Sequence, residues 1–156
     1  VENYRRLTRI PTPIRTQISV AELFTDLKKL FPEEEFQFEA PSPELKLNAD
    51  RTQIEQVLIN LLKNAREACN RKLDKNIQVK VKKLSAGNTA LTISDNGEGI
   101  LPDVLDKIFV PFFTTKTSGS GIGLSLCKQI MTLHEGSINV KSESGKGSKF
   151  ILTFPK

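Results

Sequence analysis

Aromatic side chains are scarce, at 6% of 156 residues, and no basic run is interleaved with them. That argues against a nucleic-acid surface, which needs cations for phosphates and rings for bases. Histidine occurs once, at His134, and cysteine twice, at Cys69 and Cys127, far apart and outside any C-x-x-C. No Ser/His/Asp or Cys/His arrangement can be assembled from so few groups, and neither cysteine lies near a metal-ligand cluster. The two thiols read as reduced and cytosolic. No apolar run reaches the ~18 residues of a membrane span, and no signal-peptide pattern is read at the start. The sequence Gly-x-x-x-x-Gly-Lys-[Ser/Thr] is absent, so this is not a P-loop protein. The chain opens on Val1 rather than Met. The expectation is a fragment of a longer parent, in which a membrane anchor stays open.

What is present is ordinary for one globular domain with a core of its own. Net charge is +5, from 23 basic and 18 acidic residues. Its simplest meaning is solubility, with a mild preference for polyanions such as nucleotides. Residues 1–16 hold Arg5, Arg6, Arg9 and Arg15 among two prolines, Pro11 and Pro13, and show little periodicity. They read as a helix end plus linker, which leaves 17–156 as the domain.

Within it, residues 17–20 suggest a short strand. Ala21 to Phe31 places Leu23, Phe24, Leu27, Leu30 and Phe31 on one helical face. Glu35 to Ala40 and Leu45 to Leu47 read as strands. Asp50 is a good N-cap for a helix running to about Asn70. That helix has an apolar stripe of Ile54, Val57, Leu58, Leu61, Leu62, Ala65, Ala68 and Cys69. Ile77 to Leu84 and residues 89–94 form a hairpin about Ala86-Gly87-Asn88. Asp103 to Ile108 suggests a short helix. Gly121 to Leu133 suggests another, with Ile122, Leu126, Ile130 and Leu133 on one side and Gly136 as its stop. Ser137 to Ser142 and Ser148 to Phe154 alternate as strands.

The chemistry concentrates in a few places. Asn60 and Asn64 are i,i+4 neighbours on the flank of the apolar stripe. They are either solvated helix residues or paired amide oxygens, which suit Mg²⁺ bound with phosphates. Asp95 ends a strand. It is either a turn initiator or an acceptor for the exocyclic amine of adenine. Gly97 and Gly99 permit close approach of a base. Gly119, Gly121 and Gly123 lead into a helix and offer backbone N–H groups to phosphate, and Lys116 can add a point charge. His134, near a helix end, reads as structural.

Four ordered segments carry a resemblance. They are Asn60-Leu61-Leu62-Lys63-Asn64-Ala65, Asp95-Asn96-Gly97-Glu98-Gly99-Ile100, Phe109-Val110-Pro111-Phe112-Phe113-Thr114-Thr115-Lys116 and Gly119-Ser120-Gly121-Ile122-Gly123-Leu124. In that order they resemble the N, G1, F and G2 boxes of bacterial sensor histidine kinases, over roughly residues 17–156. The resemblance implies the Bergerat ATP-binding fold of the gyrase, chaperone and histidine kinase ATPase superfamily. This is an α/β two-layer sandwich, with a mixed, mostly antiparallel sheet and three main helices on one face.

It implies ATP and Mg²⁺ as cofactors, with Asn60 and Asn64 on the metal and Asp95 on the adenine amine. Gly97, Gly99 and Ile100 would form the base-side turn. Lys63, Thr114, Thr115, Lys116, Gly119, Ser120, Gly121, Ile122, Gly123 and Leu124 would line the nucleotide. Ser148, in Gly147-Ser148-Lys149-Phe150, matches a small hydroxyl residue that meets adenine. Phe112 and Phe113 would anchor a lid over about 101–120. Hydrolytic relatives resemble Glu-x-x-x-Asn where this chain has Asn60-x-x-x-Asn64, so poor hydrolysis by the domain alone is expected. Many relatives carry a basic residue where Glu67 stands, which leaves Lys63 and Arg66 as candidate phosphate contacts.

The function so implied is transfer of the γ-phosphoryl of Mg-ATP to a histidine on a dimerisation domain absent from this chain, residues 1–16 being the tail of that domain. Its partners would be that phosphoacceptor domain and a response regulator receiver domain, without nucleic acid. The parent would be a homodimer with this domain in the cytoplasm, anchored at the inner membrane or not, and the fragment a monomer. The competing reading is a nucleotide-gated protein-binding module without phosphoryl transfer, on the pattern of anti-sigma regulators.

Overall fold

The computed structural model describes residues 10–113 and 123–156. The elements run β1 (Thr16–Ser19), α1 (Val20–Leu30), β2 (Phe36–Phe38), β3 (Lys46–Ala49), α2 (Arg51–Ala68), β4 (Ile77–Lys83), β5 (Thr89–Asp95), α3 (Pro102–Leu105), α4 (Gly123–Leu133), β6 (Ser137–Glu143) and β7 (Gly147–Phe154). Five strands form one sheet in the order β2-β4-β5-β7-β6, while β1 and β3 form a separate antiparallel pair. Within the larger sheet only β2 and β4 are parallel. The expected mixed, mostly antiparallel sheet is therefore present.

Alternation decides which face of that sheet is dry. Ile77, Val79, Leu91, Ile93, Phe150, Leu152 and Phe154 are buried on one side, and Lys80, Lys82 and Lys149 are exposed on the other. The helices α1, α2 and α4 cover the apolar face. Leu23 and Leu27 of α1, Leu58 and Leu62 of α2, and Ile130 and Met131 of α4 are all fully buried.

The central helix starts as its sequence says. The Asp50 side chain accepts the Gln53 N–H at 3.2 Å, satisfying one of the orphan donors of the first turn. Ile54, Val57, Leu58, Leu61, Leu62 and Ala65 then recur at three- and four-residue spacing and are buried. The same Asp50 holds the incoming chain, because its Oδ2 accepts the Ile14 N–H at 3.0 Å. The Ile14 hydrogen bond, opposed by burial and reinforced by the Gln53 hydrogen bond, holds the Asp50 carboxyl below its ordinary value. Gln53 donates from Nε2 to the Pro11 carbonyl at 2.9 Å, and Arg15 donates to the Leu133 carbonyl at 2.9 Å.

His134 is structural, as its sequence context suggested. It is 2% exposed. Its Nδ1 lies 2.9 Å from the Ile130 carbonyl, which can only accept. The ring hydrogen therefore sits on Nδ1, and Nε2 accepts the Asp50 N–H at 3.0 Å. One imidazole thus joins the end of α4 to the start of α2.

Two expectations are corrected here. The inward face of α4 is Ser125, Cys127, Ile130 and Met131, whereas Leu133 is 38% exposed. Six of its eleven residues are apolar and they spread over about half of the circumference, so periodicity alone left the phase undetermined. Gly136 is also not the left-handed stop, since Glu135 takes that conformation with φ 60°. Gly136 is needed for space, because a Cβ there would strike the Thr153 carbonyl oxygen and come within 3.0 Å of Met131 Cε.

Gly136→Ala should therefore lower the unfolding free energy by about 1–3 kcal/mol. Denaturant titration measures this, and an unchanged midpoint would contradict the close packing of β7 behind residue 136.

Candidate functional site

The site lies where the end of β5 meets α2. β5 alternates, and its helix-facing set of Thr89, Leu91 and Ile93 ends on Asp95. Asp95 therefore points toward the helix layer at the margin of the core. The register places Ser148 of β7 opposite Asp95, and Ser142 of β6 opposite Ser148. Three polar residues thus cross three adjacent strands in one row.

Burial pushes the Asp95 carboxyl up from its ordinary value, and hydrogen bonds from the Gly97 and Ser148 backbone only partly oppose this. Asp95 Oδ1 accepts the Gly97 N–H at 2.9 Å, so the turn-initiating role is real. It coexists with a desolvated carboxylate, which is a strong acceptor for a donor entering from the pocket.

The turn that follows is clamped on both sides. The Glu98 N–H donates to the Ala68 carbonyl at 3.1 Å, and the Gly145 N–H donates to the Glu98 carbonyl at 2.7 Å. Gly97 and Gly99 are close-approach glycines, but the neighbours are protein backbone. A Cβ on Gly97 would overlap Ala68 at the end of α2, and one on Gly99 would overlap the Glu143 carbonyl. Asn96 points away from this turn. Its Oδ1 accepts the Asn76 N–H at 2.9 Å and its Nδ2 donates to the Asp74 carbonyl at 2.8 Å. Ile100 is half-buried, and its N–H donates to Ser142 Oγ at 2.8 Å.

Asn60 and Asn64 are half-buried on the flank of α2. Asn60 Oδ1 lies 3.6 Å from where a Cβ on Gly123 would stand, so the first described residue of α4 leaves the amide room. The Asn60 side chain also hydrogen-bonds the Cys127 thiol, which burial nevertheless pushes up to about 12. Cys127 is therefore inert packing rather than a nucleophile. Lys63 is exposed one turn beyond Asn60, and Leu124 packs on the core margin. Arg66 is turned elsewhere, pairing with Glu33 at 2.8 Å and lying 4.9 Å over the Phe31 ring. A cleft of about 470 Å³ beside the turn is lined by Glu67, Ala68, Asn70, Arg71, Lys72, Gly97, Glu98 and Gly145. Arg71 and Lys72 line this cleft, and neither stood out in the sequence.

Of the two expected lid anchors, Phe113 is half-buried and Phe112 is the more exposed. Phe112 has φ 68° and is 46% exposed. Ile108 is buried, and Phe109 packs on the core with Lys128 Nζ 5.6 Å over its ring. Thr114, Thr115, Lys116, Gly119, Ser120, Gly121 and Ile122 lie outside the described residues. Ser142 was missed because it belongs to no motif segment. Only the strand register reveals it.

Known proteins share this fold. The family model described as "Histidine kinase-, DNA gyrase B-, and HSP90-like ATPase" matches residues 49–156. The sensor histidine kinase ZraS of Salmonella typhimurium is 41% identical over 110 residues, 70% of this chain and 23% of that protein. The chain thus spans about a quarter of that relative. Among solved structures, the nucleotide-free catalytic domain of histidine kinase ThkA is 36% identical with a TM-score of 0.79, covering 91% of this chain and 95% of that one. ThkA in complex with the response regulator protein TrrA is 30% identical with a TM-score of 0.80, covering 99% and 46%.

The raised Asp95 pKa has a stability consequence. An acid whose folded pKa lies above its unfolded value of 3.8 costs the native state stability as pH rises through that interval and beyond it. Asp95→Asn keeps an oxygen for the Gly97 N–H. The variant without ligand should melt higher than the wild type at neutral pH, and the gain should disappear at pH values below the carboxylate range. Equal melting temperatures at pH 7 would contradict a desolvated Asp95.

Proposed function

The chain belongs to the histidine kinase-, DNA gyrase B- and HSP90-like ATPase family, and we propose that it is the ATP-binding catalytic domain of a sensor histidine kinase. In this reading it delivers the γ-phosphoryl of ATP to a histidine on a separate helical hairpin. An aspartate of a response regulator receives it afterwards. The observation that supports the nucleotide assignment is a largely desolvated carboxylate, Asp95, at the end of β5, followed by a turn that closes on the end of α2, the dry-packed helix whose flank carries the half-buried amides of Asn60 and Asn64. An acceptor meets the base at one end, and neutral oxygens meet the charged end.

Mg²⁺ fits the donor set. Asn60 and Asn64 are hard oxygen donors, and among the described residues no group of His, Cys, Asp and Glu forms a competing metal cage. A cation held by two neutral amides keeps water and phosphate oxygens as its remaining ligands, so these residues would hold it together with the nucleotide. Its chemistry there would be charge neutralisation on the phosphates. Residue 60 is an amide and cannot act as a base toward water, which supports transfer to a protein acceptor over hydrolysis.

Residues 10–16 would be the connection from the upstream hairpin, a reading supported by their ties to Asp50, Gln53 and Leu133. The domain itself would be a cytoplasmic monomer within a dimeric parent. No described helix is long and apolar enough to cross a membrane.

Calorimetric titration with non-hydrolysable ATP and GTP analogues, with and without Mg²⁺, should show adenine-selective, Mg-sensitive binding. Asp95→Ala should weaken ATP-analogue binding by at least about a hundredfold. Asn64→Ala should weaken Mg-dependent binding more than Mg-free binding, and equal losses would contradict the metal role. Phosphorylation of an intact histidine hairpin supplied in trans separates the kinase from a nucleotide-gated module. ATP binding without any transfer to that hairpin would sink the kinase assignment.

A further inference from the structure

Ser142 sits half-buried on the helix-facing side of β6, and its Oγ has three partners. It accepts the Ile100 N–H at 2.8 Å, donates to the Gly147 carbonyl at 3.0 Å, and lies 2.8 Å from Ser148 Oγ. A hydroxyl has one hydrogen and two lone pairs. The Gly147 carbonyl can only accept, so the hydrogen of Ser142 goes there. The Ile100 amide can only donate, so it occupies one lone pair. The second lone pair faces Ser148, and the hydrogen in that contact must come from Ser148.

Ser148 is thereby left without a hydrogen for anything else. It is 7% exposed, and it is paired in register with Asp95. An open depression of about 360 Å³ at this end of the sheet is lined by Asp95, Ser142 and Ser148 among others. A ligand atom meeting Ser148 Oγ must therefore donate to it. Ionised Asp95 makes the same demand. Position 6 of a purine carries an amine donor in adenine and a carbonyl acceptor in guanine. A water lying between Asp95, Ser148 and the base does not alter the sense, because both its hydrogens are then taken and it offers the base lone pairs.

We infer that Ser142 is a specificity-determining positioning residue. By holding the hydroxyl hydrogen of Ser148, it turns Ser148 into a second acceptor beside Asp95 and sharpens selection of adenine over guanine nucleotides. This rests on the adenine-nucleotide reading above. It goes beyond that reading by assigning part of the selectivity to a residue that need not touch the base.

The test is calorimetric titration of ATP and GTP analogues into wild type, Ser142→Ala, Ser142→Thr and Ser148→Ala, with a thermal melt for each. Ser142→Ala frees the Ser148 hydrogen to turn toward a guanine carbonyl. The ATP-to-GTP affinity ratio should fall about five- to tenfold, the size of one hydrogen bond. Ser142→Thr should restore the ratio. Ser148→Ala should weaken ATP without strengthening GTP.

A purely structural Ser142 would lower stability or both affinities together and leave the ratio unchanged, which would overturn the inference. If Ser142→Ala does not fold, Ser142→Cys, which accepts hydrogen bonds poorly, is read in the same way. A wild type that binds neither nucleotide would overturn the nucleotide reading and this inference together. A selective wild type with an unchanged ratio in the variants overturns this inference alone.

Discussion

The dry packing of α2 against the sheet is the constraint on which the rest depends. Ile54, Leu58 and Leu62 have no exposed surface, and each fully buried side chain of this size contributes about 1.5–3 kcal/mol by removal from water. The helix therefore cannot rotate without exposing its stripe. Asn60 and Asn64 are fixed on its flank as a result, and Asn60 faces the start of α4. The carbonyl of Ala68 at its other end is the surface against which the turn after β5 closes.

The sheet supplies the second fixed frame. Its pairing is continuous from β4 through β5 and β7 to β6. A slip of one residue would send every apolar side chain to the wet face. The register that buries Ile93 and Phe150 is the same register that brings Asp95, Ser148 and Ser142 into one row. Core formation and site assembly are thus one event. The cost falls on Asp95, whose carboxyl is driven up in pKa by the burial that makes it a strong acceptor.

A third tie links the far ends of two helices. His134 closes the last turn of α4 and accepts from the backbone of Asp50, while the Asp50 carboxylate caps α2 and holds Ile14. The incoming segment, α2 and α4 therefore share one small polar cluster around Asp50, roughly three turns of α2 from Asn60. Gln53 belongs to the same region. It is 8% exposed and donates to Pro11, which explains why a glutamine occurs at the margin of an apolar stripe.

The sequence alone determined the element order, the phase of α2 and the motif segments, because those depend on local spacing, caps and turn chemistry. Asp50 as a cap, the hairpin at Gly87 and the strand ending in Asp95 all follow from neighbours within a few residues. Tertiary structure decided what local spacing leaves degenerate. The face of α4 was ambiguous because its apolar residues spread over about half of the circumference, and only its packing selected Cys127, Ile130 and Met131. Gly97, Gly99 and Gly136 look alike in sequence, yet their need for glycine comes from backbone at residues 68, 143 and 153. Arg66 was a phosphate candidate by position until Glu33 and Phe31 claimed it. Ser142 acquires its role only through two strand pairings, since a hydroxyl's partners are set by what the fold places within 3 Å of it.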